Sequence, residues 1–291
     1  MRGSIYDYYY SILGDERRAP TMEESDNTVD AYDSTDSYAA LFFELLLNYY
    51  EATGDDSFIT EPTLERVLWC LVDSFSEKVN DENNLLTVAK PKEGRYLMDN
   101  CEVYRGFVCL EELYLLLDAD DENGDAALAA DYARRIRNGI QSNLYNPGNA
   151  NYDFALGTPS NEVDNFYPDA IAQMFPIIFD VLDLAEQPDK ERAQALYIDF
   201  NDNFPHWTDM QGSPGNSEFP NALLMKAAIK MGDLDGASLA FKNIEKLFRE
   251  KGNPHPFLCY ESGETALCIS MFMNAYYKMC GGVFTAVPKF S

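Results

Sequence analysis

Carboxylates and aromatic rings occur together at five places in the sequence, each close to the start of an apolar stretch. The carboxylates are Asp30, Asp33 and Asp36, then Asp99 and Glu102, Asp164 and Asp169, Glu218, and Glu261 and Glu264. The rings beside them are Tyr32 and Tyr38, Tyr96 and Tyr104, Phe166 and Tyr167, Phe219, and Tyr260, with Trp207 ahead of the fourth group. Sugars offer apolar faces for stacking and hydroxyl groups for carboxylates, so the combination predicts a site for a polyhydroxylated ligand.

Helix capping explains any one of these carboxylates equally well. Asp is a preferred N-cap residue, and the helix dipole stabilises a negative charge at a helix N-terminus. Asp36 as an N-cap and Asp169 directly after Pro168 both fit that interpretation. A single carboxylate therefore favours capping, whereas the whole set with its rings favours a binding site.

Glycoside hydrolysis is the reaction that such a set could perform. It needs two carboxyl groups beside the scissile bond, about 5 Å apart for retention and about 6.5 to 9.5 Å apart for inversion. One of them needs a pKa raised by burial or by a neighbouring negative charge, so that it can donate a proton. The pairs to test are Asp33 with Asp36, Asp99 with Glu102, and Glu261 opposite either.

These considerations define the candidate site. The predicted catalytic residues are Asp36, Asp99, Glu102, Asp33 and Glu261. The predicted substrate-binding residues are Asp169, Tyr32, Tyr104, Tyr167, Trp207 and Tyr260.

Two kinds of helix must position these residues. Nearly uniform apolar composition predicts buried helices, since a helix without a polar face is covered on all sides. A single apolar stripe predicts surface helices. The buried helices are expected over 37–50, 102–117, 169–184, 217–231 and 264–279, and the surface helices over 64–79, 125–144, 190–200 and 234–248. Pro176 should kink the third buried helix. The side chains expected to be inaccessible are Ala39, Phe42, Leu46, Leu113, Leu116, Phe175 and Ile269.

This alternation is typical of two concentric helical layers. We therefore predict an all-α fold, an α/α toroid of the (α/α)6-barrel type, over residues 35–291, with residues 1–34 as an N-terminal segment. The buried helices are spaced more widely and less regularly than the periods of about 34 to 47 residues in helical repeat arrays. Nine to eleven major helices are expected, so the ring is either open or closed by the N-terminal segment.

The connections between helices are of two lengths. Long ones at 80–99, 145–168 and 203–216 lead into buried helices, whereas the turns from buried to surface helices are short. Long loops in compact folds commonly serve as lids or binding loops, which predicts one functional rim. A short helix at 5–13 and a short strand at 84–89 are expected outside the main helices.

Three stretches resemble motifs of the six-hairpin glycosidase superfamily. They are DSTDSYAA at 33–40, YLMDNCEVY at 96–104 and YPDAIAQ at 167–173, and the likeness covers roughly residues 26–280. The chain is most similar to bacterial glycoside-hydrolase-like proteins, some of them associated with exopolysaccharides, and more distantly to glycoside hydrolase family 8. The resemblance implies carboxylate acid–base hydrolysis of a polysaccharide or oligosaccharide. Because the upstream acid Glu of family 8 has no counterpart here, a non-catalytic carbohydrate-binding or scaffold toroid is the alternative.

The negative net charge of the chain argues against two classes of partner. The net charge of −27 repels nucleic acid and anionic membrane surfaces, so neither is an expected partner. No stretch has 18 consecutive apolar residues, so no membrane insertion is expected. A helical-repeat interaction module and a lyase are further alternatives. The lyase is the weakest, since the chain has two His and no basic rim. The sequence leaves the sugar, its linkage and the oligomeric state open.

Metal and cofactor sites are not expected. The six Cys include no CxxC pair, and with two His they predict reduced thiols rather than zinc ligands. Such thiols favour a cytoplasmic chain. The first residues contain no signal region and are typical of a truncated start, so they say little about the native compartment. The acidic stretch 118–125 lacks the Gly and Glu of a calcium loop and is predicted to be a solvated turn.

Overall fold

The computed structural model describes residues 9–13, 16–24, 34–75, 79–88, 94–159, 165–209 and 221–251. Over these residues the chain is mainly helical, which confirms the prediction of an all-α fold. Its α-helices are α1 Thr35–Thr53, α2 Glu61–Asp73, α3 Leu97–Leu117, α4 Asp125–Asn143, α5 Ile171–Ile178, α6 Gln187–Asn203, α7 Asn221–Met231 and α8 Leu234–Lys251. The predicted helix at 264–279 lies outside the described residues, and so does Ile269.

Short elements complete the described chain. An irregular turn, Phe166–Ala170, in which Tyr167 has an extended backbone (φ −129°, ψ 134°), precedes α5. A 3-10 turn, Trp207–Asp209, follows α6. The strands are β1 Tyr9–Leu13, β2 Glu16–Glu24, β3 Tyr145–Asn146 and β4 Asn151–Tyr152. β1 and β2 pair antiparallel, so the prediction of a short helix over 5–13 is wrong where the structure describes that segment. A short strand is predicted over 84–89. In the described part of this segment, the β-pairing consists of one bridge, between Thr87 and Phe75.

The chain forms two compact units. Unit 1 comprises Met1–Asn146 with Ala155–Pro159, and unit 2 comprises Pro147–Phe154 with Ser160–Ser291. Helices α1 to α4 belong to unit 1, and α5 to α8 belong to unit 2. The single toroid domain over 35–291 stays a prediction.

In unit 1, α3 is the central helix and packs against α1 and α4. The absence of a side chain at Gly106 allows a close approach to α1. A Cβ at this position would lie 2.6 Å from the Cβ of Ala40. One turn along α1 from Ala40, Glu44 accepts from Arg105, with Nε and Oε1 3.4 Å apart. The small residues thus set the spacing of the two helices whose first turns carry the predicted carboxylates.

Burial in unit 1 follows the prediction only in part. Ala39, Leu46 and Leu113 are buried as expected. Phe42 is only half-buried, and Leu116 is exposed over 44% of its surface, so both predictions are wrong. A uniformly apolar helix is covered only where another element packs on it, and the last turn of α3 runs beyond its packed part.

In unit 2, α5 is the most buried element, since all eight of its residues are inaccessible. Phe175 is buried as predicted. The helix predicted over 169–184 ends at Ile178 instead, two residues after Pro176. Pro176 removes one backbone donor, and Asp180 then takes a φ of 62°, which helical residues do not adopt.

Candidate active site at the start of α1 and α3

Asp36 lies in the first turn of α1 and is fully buried. Its Oδ1 accepts a hydrogen bond from the Ser34 hydroxyl at 2.7 Å. Its Oδ2 has no hydrogen-bond partner among the described residues. The N-cap of α1 is Ser34, so the interpretation of Asp36 as the N-cap residue is wrong.

The environment of Asp36 is unusual for a structural carboxylate. Buried polar atoms are nearly always hydrogen-bonded, because an unpaired one loses the free energy of its interaction with water. A carboxylate that caps a helix accepts backbone N–H groups at the helix start. The only described donor to Asp36 is the Ser34 hydroxyl, so capping does not explain why this side chain is buried.

Asp99 and Glu102 lie at the start of α3, each half-buried and each engaged with neighbouring groups. Between them Cys101 is fully buried. Burial, together with the negative charges of Glu102 and Asp99, holds the pKa of the Cys101 thiol well above its ordinary value. A thiol in this position is protonated and inert at neutral pH.

Asn100 holds the start of α3 in place. Its Oδ1 accepts the Thr87 backbone N–H at 2.9 Å, and its Nδ2 donates to the Tyr96 carbonyl at 2.8 Å. The fully buried amide therefore ties the segment 79–88 to the helix turn that carries Asp99 and Glu102. Asn100 and Ser34 are not among the predicted site residues, although both lie inside the motifs at 96–104 and 33–40.

Carboxylates on α1 and α3 lie at the same sequence distance from the close contact between the two helices. Asp36 lies four residues before Ala40, and Glu102 lies four residues before Gly106. Four residues of α-helix rise about 6 Å, so each carboxylate lies about one turn from the contact between the helices. Asp36 and Glu102 thus each lie about one turn from this contact within unit 1.

The predicted substrate-binding residues of unit 2 form a second group. Asp169 is buried and accepts from the Asn165 side-chain amide at 3.3 Å. Tyr167 is 40% exposed and precedes Pro168 through a cis peptide bond. Trp207 is buried, and its Nε1 donates to Asn201 at 2.9 Å. Packing inside unit 2 accounts for Trp207 without a ligand, and its role in binding stays a prediction.

Gln173 supports Asp169 from the next turn. Its Oε1 accepts the Tyr152 backbone N–H at 2.7 Å, and its Nε2 donates to the carbonyl groups of Tyr152 and Asp169. One fully satisfied amide thus joins strand β4 to the turn that carries Asp169. Gln173 is the last residue of the motif at 167–173, but it is not among the predicted site residues.

The remaining predicted residues, Asp33, Tyr32, Glu261 and Tyr260, lie outside the described residues. Tyr104 is half-buried on α3, two residues after Glu102. The convergence of Asp169 and Glu261 with the carboxylates of unit 1 stays a prediction.

Unit 2 contains a polar cleft of about 420 Å³ beside α6. Amide and carboxylate side chains line most of it: Asn149, Asn151, Asp199 and Asn203. Such groups donate to and accept from hydroxyl groups, which suits the recognition of a sugar. The volume is in the range of small-ligand sites.

Other kinds of site find no support in the described part of the chain. Within it, no group of three or more His, Cys, Asp or Glu side chains could hold a metal ion. Every helix there is too short or too polar to cross a membrane. The sequence matches no protein-family model, and no curated protein matches it significantly.

Proposed function

We propose that this chain is a glycoside hydrolase-like protein that acts on a polysaccharide or oligosaccharide through carboxylates at the start of α1 and α3. The observation that carries the proposal is the fully buried carboxylate of Asp36, whose Oδ2 has no described partner. Burial of an unpaired carboxylate oxygen costs free energy, and a role in chemistry is one reason for a protein to retain it.

The roles follow from the surroundings of each carboxylate. Ser34 orients Asp36 through Oδ1, which leaves the buried Oδ2 to accept from a water molecule. Glu102 and Asp99 keep part of their surface exposed, so a substrate can reach them. In the proposed reaction one carboxylic acid protonates the glycosidic oxygen. The other carboxylate accepts a proton from water as the water oxygen attacks the anomeric carbon and the bond to the leaving oxygen breaks.

We also propose the toroid as the arrangement of the helices. Burial alternates along the chain as two layers require. α3 and α5 are buried over most of their residues, whereas α2, α4 and α6 each bury one stripe. Inner and outer layers of a toroid differ in this way, because only the inner helices have neighbours on several sides.

Carbohydrate binding without hydrolysis is the second candidate function. The cleft beside α6 favours it, since Asn149, Asp199 and Asn203 could bond sugar hydroxyls without any acid–base step. The two candidates differ in the carboxylate chemistry of unit 1, not in the class of ligand.

The test is a panel of soluble polysaccharides and oligosaccharides, assayed for new reducing ends and for binding by calorimetry. For a hydrolase, Asp36→Asn and Glu102→Gln should each lower turnover at least about a hundredfold, the low end for acid–base catalysis. Glu112→Gln is the matched control, because Glu112 is an exposed carboxylate on the same helix α3. It should leave turnover unchanged.

The outcomes separate the candidates. Loss of turnover in the Asp36→Asn variant, together with unchanged turnover in the Glu112→Gln variant, supports the hydrolase. Saturable binding without new reducing ends, weakened by Asn203→Ala, supports the binding protein. The absence of both hydrolysis and binding across the panel would reject a carbohydrate function.

A further inference from the structure

The last turns of α2 present an exposed aromatic ring beside a cleft. The side chain of Trp69 is 69% exposed. It lines a cleft of about 410 Å³, whose described lining also includes Arg66, Cys70 and Asp73, all on α2. Trp207, by contrast, is buried in unit 2 with its Nε1 hydrogen-bonded. Packing inside a unit therefore accounts for Trp207 but not for Trp69.

Charged side chains flank this ring on the same face of α2. Arg66 lies three residues before Trp69, and Asp73 lies four residues after it. These spacings place side chains next to one another on a helix surface. Both charged residues are exposed. Seven residues of helix rise about 10 Å, so the ring lies between a hydrogen-bond donor and an acceptor along the helix axis.

The surroundings of the ring favour a sugar over a protein surface as its ligand. The core of a protein interface is apolar and depleted of charged residues. Here exposed charged side chains, those of Glu65, Arg66 and Asp73, share the outer surface of α2 with one exposed ring. A sugar has an apolar face that can stack on an indole ring, and hydroxyl groups at its edge that both donate and accept.

The chain connects this end of α2 to the candidate active site. Phe75, two residues after the end of α2, pairs with Thr87 in a β-bridge. The backbone N–H of Thr87 donates to Oδ1 of Asn100 at 2.9 Å, and Asn100 lies in the first turn of α3. The cleft and the carboxylates at the start of α3 therefore lie at the same end of unit 1.

We propose that the cleft on α2 is a secondary binding site for a neutral polysaccharide, with one sugar ring stacked on Trp69. The guanidinium of Arg66 donates to one hydroxyl group, and the carboxylate of Asp73 accepts from another. The net charge of −27 favours a neutral polymer over an anionic one. The choice of ligand rests on the proposed function. A polymer bound at the carboxylates of unit 1 contacts this cleft with a more distant sugar, which a short oligosaccharide does not supply.

Affinity electrophoresis of the full chain tests the binding, in native gels that contain mixed-linkage β-glucan, xylan or glucomannan. At least one polymer should retard the parent chain. Trp69→Ala should weaken this binding about tenfold and Arg66→Ala about threefold, as expected for the loss of one stacked ring and of one hydrogen bond. Phe58→Ala is the matched control, because Phe58 is a 57% exposed aromatic residue of unit 1 outside the described lining. It should change the affinity by less than about twofold.

Turnover separates this inference from the proposed function. New reducing ends are measured from the retarding polymer and from a tetrasaccharide of the same sugar. Trp69→Ala should raise KM for the polymer about tenfold, and leave kcat and the turnover of the tetrasaccharide unchanged, because only remote binding is lost. Asp36→Asn should lower turnover of both substrates and leave the retardation unchanged. Circular dichroism checks that each variant folds.

The outcomes can be told apart. Retardation that depends on Trp69 supports the secondary site, even where no reducing ends form and the hydrolase is rejected. Equal retardation of the parent chain and Trp69→Ala, equal losses with Phe58→Ala and Trp69→Ala, or no retardation by any of the polymers would overturn the secondary site. Turnover of the tetrasaccharide would then still support the proposed function. A change of oligomeric state in Trp69→Ala, measured by sedimentation, would also overturn the inference and assign the ring to a protein interface.

Discussion

At the start of α1 the carboxylate of Asp36 is buried without a backbone donor, whereas before α4 the carboxylate of Asp121 accepts two backbone N–H groups. Both residues are aspartates near a helix N-terminus. Capping explains Asp121, since it satisfies donors that the first turn of α4 leaves unpaired. Capping does not explain Asp36, so the comparison separates a structural carboxylate from a candidate for chemistry.

The two ends of α3 differ in the same way. Near its start, Asn100 is fully buried and tied to the segment 79–88. In its last turn, Leu115, Leu116 and Leu117 are each more than 40% exposed. The same apolar sequence pattern therefore runs along α3 from a tightly packed end to a solvent-exposed end. Packing neighbours decide which residues of the pattern are buried.

The largest expected effect tests this difference in packing. Leu113→Ala should lower the free energy of unfolding by about 2 to 5 kcal/mol, because it removes a fully buried side chain and leaves a cavity. Leu116→Ala should lower it by less than about 1 kcal/mol, because this side chain is 44% exposed. Both changes lie on α3, so helix propensity is matched. Urea unfolding provides the measurement, and equal losses would contradict the difference in packing.

Gly106→Ala tests the close approach of α1 and α3. Alanine normally favours a helix over glycine by about 1 kcal/mol. Here its Cβ would meet the Cβ and backbone of Ala40, so we expect a net loss of about 1 to 3 kcal/mol. If Asp36 and Glu102 act together, the variant should also lower turnover at temperatures where it remains folded.

Gly139→Ala on α4 is the control for that prediction. Its Cβ would overlap the carbonyl oxygen of Leu85, so it should also destabilise unit 1. It does not touch the contact between α1 and α3, so turnover of the folded fraction should be retained. Equal losses of turnover in the two glycine variants would show that the helix contact does not position the carboxylates.

A smaller effect distinguishes Asp121 from Asp36 directly. Asp121→Ala should cost about 0.5 to 2 kcal/mol of stability, the usual loss on removal of a helix cap. Asp36→Asn should change stability by less than about 1 kcal/mol. The amide keeps the bond from Ser34 and removes a buried charge, but adds an unpaired donor. Thermal and urea unfolding of both variants measure the contrast, and a large loss for Asp36→Asn would make its role structural.

The smallest effect concerns Asp81, in the segment that Asn100 holds. The backbone N–H groups of Asn83 and Asn84 donate to its carboxylate and hold its pKa below the ordinary value. A lowered pKa in the folded state adds stability above the unfolded pKa of about 4, and this stability is lost as the pH falls through the folded pKa. Asp81→Asn should therefore flatten the fall in stability at acidic pH, as followed by urea unfolding at several pH values. An unchanged pH profile would show that the turn contributes nothing.

The sequence predicted the helices well because helix formation depends on local periodicity. The starts of α4 and α8 were predicted to the residue, and the two lengths of connection also recur in the structure. The wrong predictions of secondary structure lie where the sequence pattern fits more than one kind of element. The stretch 5–13 has the composition of either a helix or a strand, and Pro176 ended α5 rather than kinking a longer helix.

The sequence alone determined the all-α class, the alternation of strongly and weakly buried helices, and the residue types available for chemistry. Only the tertiary structure decided that Asp36 is buried without a cap role and that Glu102 lies one turn from the contact between α1 and α3. The reason is physical. Periodicity follows from backbone geometry within a few residues, whereas burial and hydrogen-bond pairing depend on which distant residues pack beside each side chain.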